Sequence, residues 1–112
     1  MSSRPIDLRL VVSNVPDEAT ASTIARSLVE ERLAACVNVL GACRSTYRWQ
    51  GAVETADEIT LLVKTTHARH DDCVRRLAEL HPYEVPEIVT LAPQAVWPSY
   101  ARWAVEETRP GP

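Results

Sequence analysis

The sequence predicts an α+β fold in which a strand, a helix, two strands, a helix and a strand follow one another, with a long central hairpin and an added C-terminal helix. The stretch from Cys36 to Thr66 is rich in β-branched and aromatic residues on both sides of Gln50-Gly51, which reads as two long strands folded back on each other. Segments before and after it place apolar residues at three- and four-residue steps, the period of a helix lying on a sheet. Short apolar runs near both ends supply the outer strands. Two split β-α-β units with right-handed crossovers then give a four-stranded antiparallel sheet with two helices on one face, the ferredoxin-like arrangement.

Taken in order, Leu8 to Val12 forms the first strand, stopped at Ser13-Asn14-Val15-Pro16. Asp17 caps a helix whose inner face is Ala21, Ile24, Ala25 and Leu28, running to about Ala34. In the hairpin, Gly51 supplies the positive φ of a two-residue loop. That loop sets Trp49 opposite Ala52, Tyr47 opposite Glu54, Thr46 opposite Thr55, Arg44 opposite Asp57 and Val39 opposite Leu62. Arms of about 13 residues are long for strands, so the tip is expected to project.

Val37, Val39, Tyr47, Trp49 and Leu62 are expected on one face of the hairpin, and Leu40, Ile59, Leu61 and Val63 on the other. One helical layer covers one face, and an apolar face left open predicts self-association. Thr66 is placed to cap a second helix, His67 to Leu80, with Cys73, Val74, Leu77 and Leu80 inward, and His81-Pro82 ends it. Pro82 and Pro86 bracket a stiff connection before a fourth strand at about Glu87 to Leu91. Trp97 to Val105 reads as the final helix, with Pro98 in its first turn and Tyr100, Trp103 and Ala104 on one face. The tail Arg109 to Pro112 is expected to fray.

The 112 residues make one domain, with an ordered core expected over about residues 7–108. No apolar run reaches the length of a membrane span, and residues 1–12 lack the pattern of an export signal. Three cysteines without a C-x-x-C pair fit reduced thiols in the cytoplasm. The net charge of -3 argues against a nucleic-acid partner. With three glycines there is no phosphate-cradling loop, and neither a nucleophile elbow nor a metalloprotease helix is present, so no enzymatic activity is expected.

Several residues invite a metal. His81 is a candidate because neutral imidazole is the commonest ligand; as a helix-terminal residue it would instead bond backbone carbonyls. Cys36 offers a soft donor for Cu(I), or a small core side chain. Cys43 and Cys73 read as packing residues. His67, His70 and Asp71 cluster at a helix start, either as a surface metal site or as a solvated first turn.

Six stretches in register resemble the CutA family of divalent-cation tolerance proteins. They are Pro16 to Thr20, Glu31 to Asn38, Tyr47 to Gly51, Lys64 to Thr66, His81 to Glu87 and Tyr100 to Trp103. The resemblance implies a homotrimer similar in architecture to the PII signalling proteins, with hairpins wrapping neighbouring subunits, and a link to copper and other divalent metals. In copper-linked bacterial members the ligands resemble a cysteine and a His-His pair at the positions held here by Ser13, Leu80 and His81. The metal set expected for this chain is therefore His81 with Cys36 and Glu87. The resemblance also implies an inter-subunit cleft lined by Lys64, Tyr83 and Glu84 with Trp49 from a neighbour's hairpin, or an interface network made of the same residues. A PII-like regulatory or scaffold trimer binding a small anion or a protein in those clefts is the alternative function.

Overall fold

In the computed structural model, residues 7–111 are described. Residues 1–6 of the export-signal reading lie outside that range, as does Pro112 of the expected frayed tail. The elements are β1 (Leu8–Val15), α1 (Glu18–Glu30), β2 (Cys36–Trp49), β3 (Ala52–Thr66), α2 (His70–Leu80), β4 (Val89–Leu91) and α3 (Pro98–Glu107). One sheet orders the strands β2-β3-β1-β4, every neighbouring pair antiparallel. No helix among the described residues is long and apolar enough to cross a membrane.

β1 is longer than the sequence reading. Ser13, Asn14 and Val15 look like a turn, yet they continue the ladder opposite Leu61, Thr60 and Ile59. A long partner strand holds polar residues extended that would turn in isolation. α1 begins as expected, with the Asp17 carboxylate accepting a hydrogen bond from the Thr20 amide at 2.8 Å, but stops at Glu30 rather than near Ala34. Arg32 is left-handed, at φ 60°, and the Leu33 and Ala34 amides both turn back to the Leu28 carbonyl, at 2.9 and 3.1 Å. Those bonds satisfy a helix end and release the chain into β2.

The hairpin turn is at Gln50-Gly51, both with positive φ, 48° and 82°. That is the type I′ geometry whose twist matches paired strands. From Trp49↔Ala52 to Arg44↔Asp57 the register is as expected, but Val39 pairs with Leu61 rather than Leu62. A β-bulge between Val39 and Ala42 adds one residue to β2. It also changes the faces, because a one-residue slip moves every later side chain across the sheet. Val37 and Val39 share the helix-covered face with Leu61 and Val63, whereas Tyr47 and Trp49 lie on the opposite face with Leu62.

Val11, Val15, Ile59, Leu61 and Val63 meet Ala21, Ile24 and Leu28 of α1 and Cys73 and Leu77 of α2 in the main core. Burial pushes the Cys73 thiol up to about 11, so it stays protonated and inert. Thr66 accepts the Arg69 amide, at 3.3 Å, and caps a turn ahead of α2, which starts at His70 rather than His67. β4 is three residues, Val89 to Leu91, shorter than expected after Pro86. The second sheet face is not wholly open: α3 covers one end of it through Ala104 and Tyr100 packed on Leu8, Leu10 and Ala35.

Candidate functional site

At the C-terminus of α2 the chain must leave the helix, because the proline at 82 excludes helical φ and ψ at His81. His81 is extended, at ψ 132°, and buried. Its Nε2 donates to the Asn14 carbonyl at 2.8 Å, and its Nδ1 accepts the Tyr83 amide at 3.2 Å. Acceptance at Nδ1 and donation at Nε2 fix one neutral tautomer with both nitrogens engaged. The Tyr83 ring packs against the imidazole at a tilt, centroids 4.9 Å apart and planes inclined by 54°. His81 thus sets the path of the connection that follows it.

That connection forms one wall of a cleft of about 710 Å³, and the projecting hairpin forms the other. The wall after α2 contributes Pro82, Tyr83, Glu84, Val85 and Glu87; the hairpin contributes Tyr47, Trp49, Glu54 and Glu58 among others. Asn14 joins the two. Its amide nitrogen donates to Glu87 at 3.3 Å, and its side-chain oxygen accepts the Thr60 hydroxyl at 2.7 Å. Tyr83 reaches across to donate its hydroxyl to Glu58 at 2.8 Å. The Tyr83 phenol is pushed up to about 12, first by loss of water around it and then by Glu58, whose carboxylate both accepts its proton and repels the phenolate.

Glu58 is 8% exposed and accepts a hydrogen bond from that neutral hydroxyl. None of Glu54, Glu58, Glu84 and Glu87 forms an ion pair among the described residues. Among the described residues no lysine, arginine or histidine lines the cleft. The cleft is therefore a concentrated negative field between low-dielectric walls, which draws cations and repels anions.

Of the expected site residues, the structure gathers Trp49, Tyr83, Glu84 and Glu87 in this cleft within a single chain. Lys64 lies elsewhere, its Nζ 5.9 Å from the Tyr100 ring centroid under α3. Cys36 sits in the same cross-strand row as Lys64 and Leu10. That row is four residues along the sheet from Asn14, about 13 Å from the His81 contact. Ser13 is fully buried in the core with its hydroxyl lacking a hydrogen-bond partner. His67 faces Arg9 at 3.3 Å, while His70 bonds Asp71 and Thr90, at 2.9 and 2.7 Å.

The donors expected for a metal thus do not converge. Among the described residues no group of three or more histidine, cysteine, aspartate or glutamate side chains is close enough to hold an ion. His81 has no free ring nitrogen to offer, so the expected copper set of His81, Cys36 and Glu87 does not form within one chain. Sequence reasoning missed Asn14, read as part of a turn, and Glu58 and Glu54, read as strand residues. The Tyr47–Glu54 pairing was the signal that would have placed one carboxylate beside the tip aromatics.

Known proteins share this architecture. A family profile described as CutA1 divalent ion tolerance protein matches residues 9–107. The divalent-cation tolerance protein CutA of Thermus thermophilus is 48% identical over 99 residues, covering 88% of this chain and 96% of its own. That of Pectobacterium atrosepticum is 36% identical over 104 residues, covering 92% and 94%. The crystal structure of CutA from Xylella fastidiosa superposes with a TM-score of 0.89 at 44% identity, covering 92% of this chain and 99% of that one. With α1, α2, α3 and every strand residue but Leu8 inside the match, the chain belongs to the CutA1 divalent ion tolerance family.

Proposed function

We propose that the protein is a non-enzymatic, divalent-cation-binding tolerance protein that works as a homotrimer. The observation that carries the cation reading is the cleft, where buried Glu58 and three further carboxylates face one another without a basic side chain. Oxygen donors of this kind hold divalent ions loosely, and copper(II) still ranks highest among the common first-row ions. The small-anion alternative has four carboxylates against it. The trimer reading is supported by the tip residues Tyr47, Trp49 and Val53, all exposed in the single chain. Three unbridged cysteines support a reducing compartment such as the cytoplasm.

Titration calorimetry on chelator-treated protein tests the metal. Copper(II) is expected to bind no tighter than about micromolar, about 8 kcal/mol, with Glu58→Gln and Glu87→Gln weakening it. Sub-nanomolar affinity, or affinity indifferent to both substitutions, would place a complete metal site outside the cleft. Light scattering coupled to size exclusion is expected to give three times the chain mass.

A further inference from the structure

We propose that the cleft between the hairpin and the Pro82–Glu87 connection binds a linear organic polyamine. The proposal rests on the cleft drawing cations, as above, and departs from that reading on which cation the cleft is shaped to hold. A hexahydrated ion takes up about 180 Å³, at about 30 Å³ per water, against a cleft of about 710 Å³. A bare ion needs convergent donors, and the carboxylates do not form such a group. They are instead divided between the walls, Glu54 and Glu58 on β3 and Glu84 and Glu87 on the connection opposite.

Charges distributed along two walls match several ammonium groups spaced along a chain. One compact cation would leave most of them unneutralised. The remaining lining answers the rest of such a molecule. Tyr83 presents a ring that attracts ammonium groups, and with Pro82 and Val85 it gives apolar surface for methylenes. Glu58 is the anchor, because a carboxylate this buried without a counter-charge gains most from an arriving cation.

The test is calorimetry at low ionic strength on the chelator-treated full chain, with spermidine, choline and manganese(II) as separate probes. Spermidine is expected to bind at least about tenfold more tightly than choline, to weaken with added salt and to change Trp49 fluorescence. Glu54→Gln with Glu84→Gln, both at exposed positions, is expected to weaken spermidine at least about tenfold, a loss of about 1.4 kcal/mol, while Glu30→Gln on α1 does not. Spermidine binding no better than choline, or unmoved by the double substitution, overturns the proposal. Manganese binding without spermidine binding overturns it and leaves the metal reading standing. Spermidine binding without any divalent metal binding upholds it and removes the metal reading; binding of neither probe defeats both.

Discussion

From Ile59 to Lys64, β3 is a central strand between β1 and β2, with Ile59, Leu61 and Val63 buried; from Ala52 to Asp57 it has β2 alone for a neighbour, and no residue there is buried. The two halves share a ladder with β2, although the distal one is poorer in β-branched residues. They differ in what lies above and below them. Cross-strand pairing is therefore enough to shape the distal half but does not build a core there, and its exposed Tyr47, Trp49 and Val53 remain available to other molecules.

The contrast is broken most directly by truncating one residue in each half. Leu61→Ala is expected to cost about 2 to 5 kcal/mol of unfolding free energy in denaturant titrations, because Leu61 is 0% exposed. Val53→Ala, at 65% exposed, is expected to change the unfolding of a dissociated chain by less than about 0.5 kcal/mol. Comparable losses at both sites would mean that the tip has a core of its own. Trp49→Ala is the next largest, weakening assembly by about 2 to 4 kcal/mol when the indole is an interface anchor. Dissociation followed by light scattering reads that loss, and an unchanged assembly would leave the tip a solvated ribbon.

Tyr83 joins the distal half to the rest of the molecule through Glu58, so it sharpens the boundary. Tyr83→Phe leaves a buried carboxylate without its hydroxyl donor and is expected to cost about 1 to 3 kcal/mol. The phenol rises from 10.0 to about 12 in the folded chain. The folded state therefore holds this proton more tightly than the unfolded one. The stability it contributes is complete below pH 10 and is lost as pH rises toward 12. Unfolding measured across that window should decline in the parent chain, and the part of the decline owed to Tyr83 should be missing from Tyr83→Phe. A further small effect belongs to Arg44 and Asp57, 3.4 Å apart and largely exposed. Asp57→Arg is expected to cost less than about 1 kcal/mol, and Arg44→Asp with Asp57→Arg to restore it. Equal results from single and double reversal would separate the two side chains in solution.

What was legible in the sequence of the site follows the same division. Tyr83, Glu84, Glu87 and Trp49 stand in short stretches marked by proline or by the turn, and their gathering followed from the resemblance of those stretches to a family. Lys64 shares one of those stretches but points to α3, because strand parity and the position of the last helix decide its surroundings. Glu58 carries no local mark at all. Only the approach of the connection after α2 turns an ordinary strand glutamate into a buried charge.

The sequence by itself determined the order of elements, the I′ turn, the register as far as Arg44↔Asp57, and the inner faces of α1 and α2. These depend on neighbours a few residues away, where turn chemistry and helical period act. Tertiary structure alone decided the bulge between Val39 and Ala42, the extension of β1 through Ser13 and Asn14, the covering of one sheet end by α3, and the engagement of His81 Nε2 by the Asn14 carbonyl. Each of these turns on which distant segment supplies the partner. A bulge forms where two strands fixed elsewhere fall one residue out of step, and Nε2 of His81 is engaged because β1 brings the Asn14 carbonyl to it, while the amide two residues on takes Nδ1.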